Sequence, residues 1–178
     1  LVDTITTDST GYATSKALYL GKYRVVEVKA PEGFVLDSTP KQVEIVYGSQ
    51  TDKVVSTSTS FTNDRQKVEI SLTKVMEENA DFGIGNNGEV ENVKFGLYAN
   101  ENLTAANGTV LPKDGFIEEV TVDSTGNVKF SSDLPFGQYY VKEIATDDHY
   151  IINGTKYLVT FSYAGQDKNV ASLTVNNG

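Results

Sequence analysis

The sequence predicts an all-β fold of two tandem Greek-key β-sandwiches, on three observations. Apolar and polar residues alternate along many short segments, turn sequences separate those segments at short intervals, and one stretch of chain occurs twice. The alternation is clearest in Lys67–Val75, where Val68, Ile70 and Leu72 interleave with Glu69, Ser71 and Thr73. The repeat sets Gly21-Lys-Tyr-Arg-Val-Val-Glu27 through Phe34 against Gly137-Gln-Tyr-Tyr-Val-Lys-Glu143 through Tyr150, at an offset of 116. Each copy places one glutamate inside an otherwise apolar strand, a poor position for a lone carboxylate without a task.

In chain order, period-two alternation predicts further strands over 42–47, 54–61, 93–98, 116–122, 127–130, 138–144, 156–163 and 170–175. Turn signals lie between them. Asp-Ser-Thr-Gly occurs at 8–11 and again at 123–126, with Asn87-Gly88, Asn107-Gly108, Pro112 to Gly115 and Asn153-Gly154 elsewhere. No segment carries a helical period. Short strands at this spacing point to β-sandwiches.

The copies extend beyond the glutamate strand. Thr7 to Gly11 matches Val122 to Gly126, and Ser60-Phe-Thr-Asn63 matches Leu173-Thr-Val-Asn176. The boundary therefore falls near Asp64–Gln66, giving a first domain over 1–65 and a second over 66–178. The second has a long stretch, from Lys67 to Val122, ahead of its Asp-Ser-Thr-Gly turn, whereas the first has only seven residues. The first is thus expected to be the C-terminal part of a domain whose opening strands are missing, and the chain an internal fragment of a longer protein.

Composition narrows the chemistry. Of 178 residues 39% are apolar, enough for a packed core. With 24 acids against 15 bases the net charge is −9, and no basic patch tracks a polyphosphate backbone, so nucleic acid is not an expected partner. No apolar run approaches a bilayer span, so no membrane contact is expected of this fragment. No cysteine is present, which removes disulfides and thiolate metal sites, and a single histidine leaves little for metal or nucleophile–base catalysis. Neither metal nor cofactor is expected. The acidic segment Glu77, Glu78, Asp81, Asn86, Asn87, Glu89 and Glu91 lacks the spacing of a calcium loop and reads as a solvated hairpin insert. Asn102, Asn107 and Asn153 head Asn-x-Thr sequons to which no role is given; His149 reads as a loop residue, and Asp8 and Asp123 as turn residues.

Three polar groups of the second domain belong to strands that a sandwich can bring together. Lys74 shares the parity of Val68, Ile70 and Leu72, Glu143 that of Tyr139 and Val141, and Asn176 follows Leu173 and Val175 at the end of the last strand. Burial favours the neutral, nucleophilic form of an amine. A buried carboxylic acid can polarise an asparagine carbonyl and carry the amine's proton to the leaving group. The product is an amide between Lys74 and Asn176 with release of ammonia, driven by fixed proximity. Asn177 is a competing acceptor. The plain alternative is a structural ion pair, or a solvated edge lysine and glutamate.

Tyr23-Arg-Val-Val-Glu-Val-Lys-Ala-Pro-Glu-Gly-Phe34 resembles the E-box of Cna protein B-type domains (SpaA-like, transthyretin-like), which occur in surface adhesins and pilins of Gram-positive bacteria. The lead-in Leu18, Gly21 and Tyr23 and the closing Phe61 and Asn63 also fit. The second copy departs from the motif, with Thr146-Asp147 in place of Ala-Pro and His149 in place of Gly. The resemblance implies a transthyretin-like sandwich holding a self-formed isopeptide bond: Lys74 as nucleophile, Asn176 as electrophile and Glu143 as catalytic acid/base in the second domain. In the first it implies Glu27 and Asn63, with the lysine partner upstream of residue 1. The function so implied is a structural stalk or shaft module of an extracellular, cell-wall-attached adhesin or pilin. Its only chemistry is one self-crosslinking turnover, so it is no enzyme in the ordinary sense. Its partners would be neighbouring domains of the same longer protein, sortase-linked pilus subunits or a host matrix protein. A ligand-binding adhesin domain and an accessory β-sandwich of a secreted enzyme are the alternative readings.

Overall fold

The computed structural model describes residues 1–105 and 107–176, with Asn176 described by its backbone alone. The fold is all-β, with one short 3-10 turn at Glu89–Asn92 as the helical element among the described residues. The chain divides into two compact units: Leu1–Ala30 with Leu36–Asn63, and Pro31–Val35 with everything from Asp64 onward.

The first unit holds one antiparallel pair, β1 (Gly21–Val25) and β2 (Lys41–Ile45). Segment 54–61, a strand by its alternation, forms no ladder there. Its residues are mostly exposed serine, threonine and valine, and alternation without a partner strand does not make a strand.

The second unit is a sandwich. One sheet runs in the order β10-β9-β4-β7, from β4 (Lys94–Ala99), β7 (Phe116–Thr121), β9 (Gly137–Ala145) and β10 (Tyr157–Phe161). The other runs β11-β3-β8, from β3 (Lys67–Thr73), β8 (Asn127–Phe130) and β11 (Val170–Asn176). A small hairpin pairs β5 (Leu103–Thr104) with β6 (Val110–Leu111). Strand β11 runs parallel to β3 and β8 antiparallel to it, so the first and last strands of the unit are neighbours. Inward residues of both sheets make the core: Ile70, Leu72 and Phe130 from one, Phe95, Tyr139 and Phe161 from the other. This follows the sandwich rule that alternate residues of each sheet face inward. Phe95 is fully enclosed. Its replacement by alanine is expected to destabilise the unit by about 3–5 kcal/mol, read from chemical denaturation; a loss below about 1 kcal/mol would show that the site collapses around the deletion.

The repeat holds at the level of hydrogen-bond register. Gly21 pairs with Ile45 and Val25 with Lys41 in the first unit. Gly137 pairs with Phe161 and Val141 with Tyr157 in the second, each residue displaced by the same 116 positions. The Tyr23 hydroxyl donates to the Tyr19 carbonyl, and that of Tyr139 to the Pro135 carbonyl. Both Asp-Ser-Thr-Gly turns close identically: the aspartate Oδ1 accepts from the backbone N–H groups two and four residues on and from the threonine hydroxyl, at Asp8 and again at Asp123. These donors, the threonine hydroxyl foremost, hold both carboxyls below their ordinary value.

The acidic segment turns as a minimal hairpin, in which Asn79 and Ile84 exchange both backbone hydrogen bonds. It forms an isolated bridge between Asn79 and Ile84 followed by the 3-10 turn. Glu89, buried where a solvated residue was expected, accepts from the N–H groups of Gly85 and Asn87 and so closes the loop that follows the bridge. Backbone donors, its own N–H first, keep that carboxyl below the usual range. The described residues contain no cluster of His, Cys, Asp and Glu suited to a metal ion.

Candidate functional site: a buried lysine–glutamate pair

Glu143 lies on β9, which pairs with β4 alongside it and with β10 over Gly137–Val141. Its register partner on β4 is Phe95, next to an irregularity between Lys94 and Phe95. Tyr139, Val141 and Glu143 alternate inward along the strand, all buried, as their parity predicts. The Glu143 side chain is only 1% exposed.

Lys74 reaches this carboxylate from the other sheet. Strand β3 ends at Thr73, one residue short of it. The backbone of Lys74 is fixed by its N–H donating to the Gly126 carbonyl at 2.7 Å. Gly126 is required here: its φ is +83°, and a Cβ on it would meet the Lys74 carbonyl oxygen at 2.6 Å. The Asp-Ser-Thr-Gly turn thus presents the lysine. Nζ lies 3.1 Å from Glu143 Oε2, with the lysine side chain 15% exposed. The contact is electrostatic rather than an aligned hydrogen bond, because Oε2 is buried and accepts no hydrogen bond among the described residues. The other oxygen, Oε1, accepts from the backbone N–H of Asn153 at 3.2 Å.

Asn176 closes β11 opposite Thr73, the residue before Lys74, so the strand that leads to Lys74 and the strand that ends in Asn176 are parallel neighbours. The side chain of Asn176, and the competing acceptor Asn177, lie outside the described residues. In the first unit Glu27 and Asn63 meet directly: Asn63 Nδ2 donates to Glu27 Oε2 at 2.7 Å, and the Asp37 N–H donates to the same oxygen at 2.8 Å.

Sequence reasoning passed over Asn153, which it treated as the head of an idle sequon. The signal was present, since Asn153 stands to Glu143 as Asp37 stands to Glu27. His149, as expected, sits on an exposed loop; the Asp147 carboxylate, 2.6 Å from its Nδ1, raises its pKa above the ordinary imidazole value.

Two β-rich units built on one repeated strand pair, the second a sandwich with a lysine and a glutamate paired between its sheets, define a class of tandem β module. The chain belongs to the SpaA-type prealbumin-like fold domain family, whose model matches residues 1–65 and again 69–178. Over 139 residues it is 27% identical to the trypsin-resistant surface T6 protein of Streptococcus pyogenes serotype M6, covering 76% of this chain and 24% of that protein. Among solved structures it is similar to the Bacillus anthracis TIE protein, with a TM-score of 0.56 and 24% identity over 97% of this chain and 28% of that one. The group B streptococcus pilus 2b backbone protein gives a TM-score of 0.40 at 14% identity over 98% of this chain and 77% of that chain. This chain spans about a quarter of the length of the first two.

Proposed function

We propose that the chain is a load-bearing shaft module of a Gram-positive cell-surface adhesin or pilin, extracellular and wall-attached in its full-length context, with the second unit locked by an amide between Lys74 and Asn176. One observation carries this reading: the Lys74 amine sits 3.1 Å from an enclosed glutamate, at the end of a strand whose parallel neighbour ends in Asn176. Membership of the SpaA-type family and the surface location stated for the streptococcal relative support the setting.

The chemistry balances without a co-reactant. Glu143 takes a proton from the Lys74 ammonium, leaving a neutral amine with a lone pair on Nζ. That lone pair attacks Cγ of Asn176, Glu143 gives the first proton to Nδ2 and takes the second that Nζ must lose to become an amide nitrogen, the Cγ–Nδ2 bond breaks, and the nitrogen leaves as ammonia, which takes up that second proton as ammonium. Chain topology supplies the effective concentration that an unactivated carboxamide needs. Enclosure of the Glu143 carboxyl strengthens its electrostatic hold on the amine. Glu27 and Asn63 are proposed for the same two roles in the first unit, with no nucleophile assigned there.

Intact mass spectrometry of the 178-residue chain tests this directly. One bond is expected to lower the mass by about 17 Da, that of the ammonia expelled in acyl transfer to an amine. A chain at its full sequence mass would reduce Lys74–Glu143 to a structural ion pair.

A further inference from the structure

Ten residues beyond each repeated glutamate the two units carry the same small device. In the second, the Asn153 N–H donates to Glu143 Oε1, while the Asn153 side chain is turned back on its own loop. Its Oδ1 accepts from the Thr155 N–H at 3.0 Å, and its Nδ2 donates to the Tyr157 hydroxyl at 3.0 Å, at the first residue of β10. In the first, the Asp37 N–H donates to Glu27 Oε2, Asp37 Oδ1 accepts from the Thr39 N–H at 3.1 Å, and Asp37 Oδ2 lies 3.4 Å from Lys41 Nζ, at the first residue of β2. Asp37 and Asn153, Thr39 and Thr155, Lys41 and Tyr157 are all displaced by the same 116 positions. The side-chain chemistry at the strand start has changed from a salt bridge to an amide–phenol hydrogen bond. What persists in both is an Asx turn that aims one backbone N–H at the glutamate.

We infer that Asn153 is a positioning residue for the crosslinking step, and rest this on the reading of Glu143 as its acid/base. A carboxyl oxygen that accepts an N–H bond is a poor place for the acid proton, since the donor and the proton would compete for that oxygen. The Asn153 N–H therefore reserves Oε1 as an acceptor and leaves Oε2, the oxygen beside Lys74 Nζ, to carry the proton between amine and leaving group. It also stops the carboxyl from rotating about its terminal torsion, which is otherwise soft. The Asx turn matters because it orients the peptide unit, so the side chain of Asn153 acts through its own main chain.

The test follows bond formation in the 178-residue chain by mass after a pulse of synthesis, comparing Asn153→Ala with Asn153→Asp. The alanine chain loses the turn acceptor and is expected to crosslink about tenfold more slowly or worse, the scale of a lost hydrogen bond to a charged group. The aspartate chain keeps Oδ1, as Asp37 does in the first unit, and is expected to restore the rate. An alanine chain that crosslinks as fast as the unaltered one overturns the inference and leaves the proposed function standing. An unaltered chain at full mass overturns the proposed function and the inference with it. Should the alanine chain fail to fold, amide exchange decides in Glu143→Ala: the residue 153 N–H is expected to exchange at least about tenfold faster there, and an unchanged rate overturns the inference.

Discussion

Glu143→Ala is expected to return the chain to its full sequence mass and to lower the melting temperature of the second unit by about 20 °C. The estimate comes from the closed loop. An amide from Lys74 to Asn176 closes roughly a hundred residues, and in the chain-entropy description of crosslinks this stabilises by about 4–5 kcal/mol. For a domain near a hundred residues each kcal/mol moves the midpoint by about 4–8 °C. A second effect acts in the same direction, because the alanine leaves the Lys74 ammonium without its carboxylate. Removing one partner of a fully buried pair costs about 3–5 kcal/mol, but Lys74 is 15% exposed and its long stem can carry the charge outward, so this contribution is the smaller. Asn176→Ala separates the two, since it loses the bond and keeps the ion pair. Both variants should show the full mass, with Asn176→Ala the more stable. A Glu143→Ala chain that still lacks about 17 Da would remove Glu143 from the acid/base role.

Legibility of the fold and the site followed the range of the interactions involved. Period-two alternation located β3, β4, β7, β8, β9, β10 and β11 to within a residue or two, because each has an inward face that the core of the second unit requires to be apolar. The expectation failed over 54–61, where Val54-Val55 is followed by an unbroken run of serine and threonine and supplies no apolar face for a partner strand or core to require. Parity put Lys74 and Glu143 each on the inward side of its own strand without saying that the two meet, and the structure brings them to 3.1 Å. It gave no warning that β3 stops at Thr73, since that stop depends on the turn whose Gly126 carbonyl takes the Lys74 N–H. Glu89 was legible only as one acid among many. Its burial depends on which backbone N–H groups happen to converge on it, a tertiary fact with no periodic trace. Asn153 was misread for a different reason. Asn-x-Thr has a familiar surface meaning, and the competing one appears only when Asp37-Ser-Thr39 is laid beside it at the repeat offset. Repeat comparison carried more information about the site than any motif did, because it showed what was retained when the residue type changed.

The mechanical consequence of the bond is set by the placement of β3 and β11. They are the first and last strands of the second unit, adjacent and parallel, in register from Lys67 opposite Val170 to Thr73 opposite Asn176. Pulling the two ends of the unit apart loads parallel neighbours along their length, so the ladder must shear as a whole rather than open one hydrogen bond at a time. That geometry resists force without any covalent help. The proposed amide goes further, since it joins the far end of β3 to the far end of β11. Tension entering at Lys67 runs along β3, crosses from Lys74 to Asn176 and leaves the unit, while every strand between them carries none. The locked segment of roughly a hundred residues would span about 35 nm if drawn out at ~3.5 Å per residue. Single-molecule stretching of the unaltered chain is therefore expected to show no extension from the second unit, whereas Lys74→Ala should add about 35 nm of contour length. The difference between the two chains removes whatever the first unit contributes. Equal contour lengths would mean that the second unit bears load through its hydrogen-bonded ladder alone, and that Lys74 and Glu143 serve it as an ion pair.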